Sequence, residues 1–204
     1  MVLTRGQIEE GLKNKGDFVK LDVLNRYLQQ ADSLDIKKFI LLKLVDIYQD
    51  RNFLLDAAKH LDAAADLVIT YREKIDLYMK ETELYVKLGQ FDLADRIYQK
   101  AYAYGNMREK AETQAKYIDY YIFQAKSNEK EQKHRKAVEI YEKLYSMPQA
   151  DEKRMEFKNK LLELYGKLGR IRDQTRLASK VEPKPEEKPK IMPGSFEDLG
   201  IRKY

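Results

Sequence analysis

The chain has 204 residues, a formal net charge of +5, 36% charged residues and 43% hydrophobic ones. That supports one sizeable core or one continuous array, and the charge excess is too small to imply nucleic acid by itself. Cysteine is absent, which excludes disulfides, thiolate nucleophiles and cysteine-based zinc sites and fits a reducing, cytoplasmic setting. No stretch approaches the roughly 20 apolar residues of a membrane span, and the first residues lack the cationic-then-apolar pattern of a secretory signal.

In chain order, a first helix is expected over 5–15, opened by the capping-box pattern Thr4-x-x-Gln7. A second, over 17–31, follows from the stripe Leu21, Leu24, Leu28, and a third, over 34–50, from Phe39, Ile40, Leu44, Val45, Ile47 and Tyr48. Helices are next expected over 53–69 and 72–88. Steps of three and four through Phe91, Ala94, Ile97, Tyr98 and Ala101 place another over 91–104. Then come 107–126 and 130–146, a helix over 151–168 on Phe157, Leu161, Leu164, Tyr165 and Leu168, and a last one over 171–181. Gly16, Gly89, Gly105 and Gly169 each follow a periodic run, where a left-handed residue ends a helix. Pro148 falls between helices, while Pro183, Pro185, Pro189 and Pro193 crowd one stretch. Proline ends helices, so residues 1–181 are expected to form the helical domain and 182–204 an extended, Pro-rich tail. Short connections imply antiparallel neighbours.

A degenerate repeat underlies this order. Its clearest copy is Leu84-Tyr85-Val86-Lys87-Leu88-Gly89-Gln90-Phe91-Asp92-Leu93-Ala94, continuing to Tyr98 and Ala101. A second reads Leu164-Tyr165-Gly166-Lys167-Leu168-Gly169-Arg170-Ile171. Weaker copies centre on Gly16-Asp17-Phe18, on Arg51-Asn52-Phe53, and on His134 with Ala137, Tyr141 and Leu144. The period of roughly 35 to 43 residues is that of helical solenoids. Tyr85, Gly89, Phe91, Ala94, Tyr98, Ala101 and Gly105-Asn106 resemble the tetratricopeptide repeat in order and kind. The unit at 107–148 keeps the pattern with a lysine-rich insertion before its second helix, and the unit at 151–181 has Gln174 where a small apolar residue is expected. In the N-terminal units Asp56 or Ala57 stands for the small residue and His60 or Leu61 for the aromatic. The longer, irregular periods also resemble the helical repeats of SNAP-type membrane-fusion adaptors. Either resemblance implies an all-α, right-handed TPR-like α-solenoid of nine or ten antiparallel helices, and a protein that binds others rather than one that catalyses.

Candidate chemistry is sparse. Asp56 and His60 share a helical face, and Glu131 with His134 has the Glu-x-x-His spacing of di-iron bundles, but the further motif and glutamates such a site needs are missing. There is no nucleophile–base motif, phosphate loop or dinucleotide-binding glycine pattern, so no catalytic residue, metal or cofactor is expected. The tetratricopeptide resemblance implies that the first helix of each pair lines a concave groove for a peptide or helix. That assigns Asp76, Met79, Lys80, Glu83 and Lys87 from one unit and Glu156, Asn159, Lys160, Glu163 and Lys167 from another. The alternative partner is RNA, held by stacking on Tyr117, Tyr120 and Tyr121 and by the cations Lys126, Lys130, Lys133, Arg135 and Lys136. Fifteen tyrosines with no tryptophan suit an array in which rings pack while hydroxyls reach polar partners. The tail segment Ser195-Phe196-Glu197-Asp198-Leu199 reads as a short amphipathic element that docks on a partner or folds back on the array.

Overall fold

The computed structural model describes residues 3–148 and 150–179; the expected tail at 182–204 and the end of the last expected helix lie outside them. Among the described residues ten helices follow one another: α1 (Arg5–Leu12), α2 (Asp17–Gln30), α3 (Leu34–Asp50), α4 (Leu54–Leu67), α5 (Tyr71–Leu88), α6 (Phe91–Tyr104), α7 (Met107–Lys130), α8 (His134–Ser146), α9 (Asp151–Lys167) and α10 (Ile171–Ala178). Each packs on the next in sequence, and α5 also packs directly on α7. The architecture is an all-α solenoid, as the repeat implied. No helix among the described residues is long and apolar enough to cross a membrane.

The hairpin turns define the repeat more sharply than any sequence motif. Each pairs a left-handed residue with the start of the next helix: Asn14, Asn52, Gly89, Gln132 and Gly169, with φ of 56°, 61°, 74°, 58° and 67°. Four of them close with the same two bonds. The residue after the left-handed one donates five positions back, as in Phe53 N–H to Tyr48 O (2.8 Å), Gln90 to Tyr85 (2.9 Å), Lys133 to Asn128 (2.8 Å) and Arg170 to Tyr165 (2.9 Å). The left-handed residue itself donates three back, as in Gly89 N–H to Val86 O at 3.0 Å. This is the Schellman arrangement, which satisfies carbonyls that the helix end leaves open. Gly16 and Gly105, expected as left-handed stops, have φ of −68° and −79°. Both precede helices instead, Gly105 just ahead of an Asn106–Glu109 capping box.

Aligning the chain on these turns settles the degenerate units. Ala57, Ala94, Ala137 and Gln174 each donate to the residue before the second helix of their pair, so Ala57 is the small residue and Leu61 sits in register with Tyr98 and Tyr141. Gln174 fits because its partner helix offers Gly166. The Gln174 amide donates to Leu162 O at 3.0 Å, and a Cβ on residue 166 would lie 3.2 Å from the Gln174 nitrogen. The insertion also becomes intelligible. From Asn52 to Gly89 is 37 positions, from Gly89 to Gln132 is 43, and from Gln132 to Gly169 is 37. The six extra residues all enter α7, which has 24 residues where α3, α5 and α9 have 17, 18 and 17. The lysine-rich segment is therefore not a loop before the second helix. It extends the first helix by about 9 Å, to Lys130 instead of the expected 126.

One continuous core runs from Leu41 to Leu177, and a smaller one of Ile8, Leu21, Leu24, Ala31, Ile40 and Leu44 adjoins it through Leu28 and Tyr48. Tyrosine hydroxyls bind successive hairpins together. Asp95 of α6 accepts hydrogen bonds from Tyr117 and Tyr121 of α7, the latter at 3.2 Å, and its other oxygen meets Lys143 of α8 at 2.5 Å. Glu129 of α7 takes Tyr141 of α8 at 2.5 Å and Lys160 of α9 at 3.2 Å. Glu142 of α8 takes Tyr165 of α9 at 2.7 Å, with Arg170 of the last turn 3.4 Å away. Each hub holds one carboxylate between a phenol and a cation, so the buried ring keeps a satisfied hydroxyl.

Candidate functional site

The α7 extension borders a large cleft. Because α5 ends at Leu88 while α7 runs on, a space of about 570 Å³ opens beside the α5–α6 turn. Val86, Lys87, Leu88 and Gly89 line one side, Phe123, Gln124, Ser127 and Asn128 of α7 another, and Lys133, Lys136, Glu139 and Ile140 a third, with Asn52 and Leu54 at the end. A smaller hollow of about 160 Å³ continues it along the α5–α7 seam through Glu83, Lys87, Tyr120 and Phe123. Lys116 and Asp76, 3.9 Å apart, and Arg72 with Glu109 and Glu112, at 3.7 and 3.8 Å, hold the two helices together farther down.

The groove sets exposed apolar side chains among a rim of charged ones. Phe123 is 67% exposed and Leu88 38%. On the rim, Lys87 meets Glu83 at 2.6 Å and Lys133 meets Glu131 at 2.5 Å. The Lys133 ammonium holds the Glu131 carboxyl below the usual carboxylate range. Lys136 has no ion pair among the described residues. Tyr120 is half-buried, and burial, reinforced by Glu83 and Asp76, pushes its phenol up to about 12, so it faces the groove as a neutral donor. Such a surface offers aromatic contacts at Phe123 and Tyr120, an aliphatic one at Leu88 and several side chains able to meet either charge. It has no arrangement of acid, base and nucleophile.

The structure divides the residues expected at the site. Asp76, Glu83 and Lys87 lie along the α5–α7 seam, and Lys80 is exposed on the same helix. Met79 does not belong with them: it is 2% exposed, because Ile75, Met79, Thr82 and Val86 form one of the buried stripes of α5. On α9, Lys160 is turned toward Glu129, and Glu163 bridges Lys160 and Lys167 at 3.7 and 2.6 Å. Glu156 and Asn159 are exposed beside them. None of these five lines the cleft, so the two sets do not form one surface there.

The tyrosines of the RNA alternative also separate. Tyr117 and Tyr121 are 7% and 0% exposed, with Tyr117 stacked on Tyr98 at 4.0 Å and Tyr121 set edge-on against Tyr117 at 5.0 Å. Their faces are occupied by protein, which removes them as stacking platforms; only Tyr120 reaches the groove. Lys126, Lys130, Lys133, Arg135 and Lys136 are exposed around the α7–α8 corner. His60 stacks on Tyr48 at 5.2 Å and burial lowers its pKa. No group of three metal-ligating side chains occurs among the described residues.

Phe123, Leu88, Gln124, Ser127 and Glu139 were not anticipated. The signal for Phe123 was present, since it falls off the stripe Tyr117, Tyr121, Ala125 that α7 buries. Phe123 shares the cleft with Leu88, and it is such grouping of exposed apolar side chains, not one exposed ring, that marks an interaction surface.

Several solved structures resemble the chain, two of them as follows. One is a putative kinesin light chain with nearly identical TPR-like repeats from Podosopora anserina, with 14% identity, 85% of this chain and 84% of that one covered, and a TM-score of 0.40. The other is BtubC (BKLC) from P. vanneervenii, with 11% identity, 91% and 84% covered, and a TM-score of 0.39. No protein-family model matches the chain, and no curated protein matches it.

Proposed function

We propose that the protein is a non-enzymatic interaction module, an adaptor or scaffold, that binds a segment of another protein in the α5–α7 groove. The observation that carries this reading is Phe123, two-thirds exposed at the meeting point of both hollows on a helix that buries Tyr117 and Tyr121. A preorganised wall of packed helices lowers the ordering cost of binding, and an aromatic anchor ringed by polar side chains is the usual centre of such an interface. The rim carries both signs of charge, which suits a ligand of alternating charge and discriminates against a purely cationic or anionic one.

The test is capture on the immobilised protein from source lysate, with and without nuclease, followed by affinity measurement on the recovered partner. Partner binding is expected to survive nuclease and to weaken about tenfold or more with Phe123→Ala, the loss typical of a central aromatic contact. The melting temperature should stay unchanged because the ring is mostly in solvent. A partner indifferent to Phe123→Ala places the site elsewhere. Recovery that disappears with nuclease, and with rising salt, favours the RNA reading through the α7–α8 cations.

A further inference from the structure

We infer that the chain carries its own ligand for the groove: the segment Ser195–Tyr204, which occupies the α5–α7 cleft in cis and competes with outside partners. The inference rests on the groove reading above and names an occupant for it. The chemistry of the two surfaces corresponds. The segment places Phe196, Leu199 and Ile201 at spacings of three and two, with Glu197-Asp198 between the first pair and Arg202-Lys203 after the last. The cleft offers Phe123 and Leu88 as exposed apolar contacts, Lys136 for the acidic pair and Glu139 for the basic one, and Lys87 and Lys133 join by exchanging Glu83 and Glu131 for the segment's carboxylates. Lys126 and Lys130, on the neighbouring flank of α7, add to the attraction for Glu197 and Asp198.

The connection is long enough. Seventeen residues run from Lys180 to Phe196, which span up to about 55 Å when extended. The cleft is bounded by α8, two helices before α10, and packed helices stand about 10 Å apart. A tethered segment meets its site at an effective concentration in the millimolar range. Even a weak contact therefore keeps the groove mostly filled, and an external ligand must displace it.

The probe is a fluorescein-labelled synthetic peptide of residues 194–204, titrated by anisotropy against the full chain and against a full chain carrying Phe196→Ala and Leu199→Ala in its own tail. The peptide should bind the altered chain about tenfold more tightly than the unaltered one, because the covalent competitor has been disarmed. Adding Phe123→Ala should weaken the peptide on both. Equal affinity for the two chains, or binding indifferent to Phe123→Ala, overturns the inference, as does a concentration-dependent dimer in sedimentation that the tail substitutions abolish. Failure of the tail leaves the groove testable: a captured partner that loses affinity with Phe123→Ala when the peptide binds nowhere retires this inference alone. A partner and a peptide both indifferent to Phe123→Ala retire both readings.

Discussion

The array joins its hairpins in two ways. Between α4 and α5 the joint is close and dry: Ala57, Ala58, Ala64 and Ala65 of α4 are all fully buried, so the helices meet with little side chain between them. Between α6 and the α7–α8 pair the space is filled by tyrosine rings whose hydroxyls meet Asp95, with Lys143 closing the hub from α8. The first joint relies on close packing. The second fixes register by direction, since phenols and a carboxylate accept one geometry where apolar surfaces accept several. The lengthened helix, and the groove it opens, sit on the second kind of joint.

Removing the hub carboxylate should therefore cost more than an ordinary surface substitution. Asp95→Ala leaves two buried hydroxyls without their acceptor and is expected to lower stability by about 2–3 kcal/mol in urea titration. The same substitution in a Tyr117→Phe, Tyr121→Phe background should cost less than half as much, because nothing is then orphaned. A loss near the roughly 0.5 kcal/mol of an ordinary surface change would mean that the rings alone hold the joint.

The dry joint has one polar intruder. Glu81 of α5 is 1% exposed, its Oε2 has no hydrogen-bond partner, and Asp62, Asp66 and Lys100 stand around it. Burial raises its pKa to about 8, Asp62 adds to the effect and Lys100 opposes it. The folded protein thus holds a proton that the unfolded chain, near 4.5, has already released. Folding stability contributed by Glu81 is complete below the unfolded value, falls as pH rises between the two, and is gone above about 8. Glu81→Gln should remove that slope and stabilise the protein at pH 8.5 by on the order of 2 kcal/mol, with little difference near pH 5. Parallel thermal melts of the two chains across pH 5–9 decide it; curves that stay equally spaced would show that Glu81 finds a partner when ionised.

Much of this was legible beforehand. The apolar period located every helix and placed several ends to within a residue or two, and the Thr4–Gln7 capping box formed as expected, with Gln7 Oε1 receiving the Thr4 N–H at 3.0 Å. What escaped was set by tertiary context. The 126–136 segment reads as a charged insertion because lysines and glutamates satisfy helix and loop alike; only the turn at Gln132 shows that it lengthens α7. Met79 looked available because its neighbours Asp76, Lys80 and Glu83 are polar, yet helical spacing ties it to Ile75 and Val86. The acceptors of the tyrosine hydroxyls lie 12 to 26 positions away in sequence, and no local pattern names them.

The smallest expected effect concerns the turns, which are alike in geometry and unlike in residue. Gly89 and Gln132 adopt φ of 74° and 58° and make the same pair of bonds, but only glycine takes that conformation without steric cost. A Cβ at position 89 would meet nothing within 4 Å, so Gly89→Ala should cost about 1 kcal/mol from backbone conformation alone. Gln132→Gly should gain about 0.5 kcal/mol, the relief being partly offset by the looser unfolded chain. Both are read from urea midpoints at unchanged slope. A neutral Gln132→Gly would mean that the glutamine side chain contributes at the tip of the extension beyond what the turn requires. A clear gain would mean that the extended helix tolerates a strained turn at its end, as expected if the extension is kept for the groove it builds and not for stability.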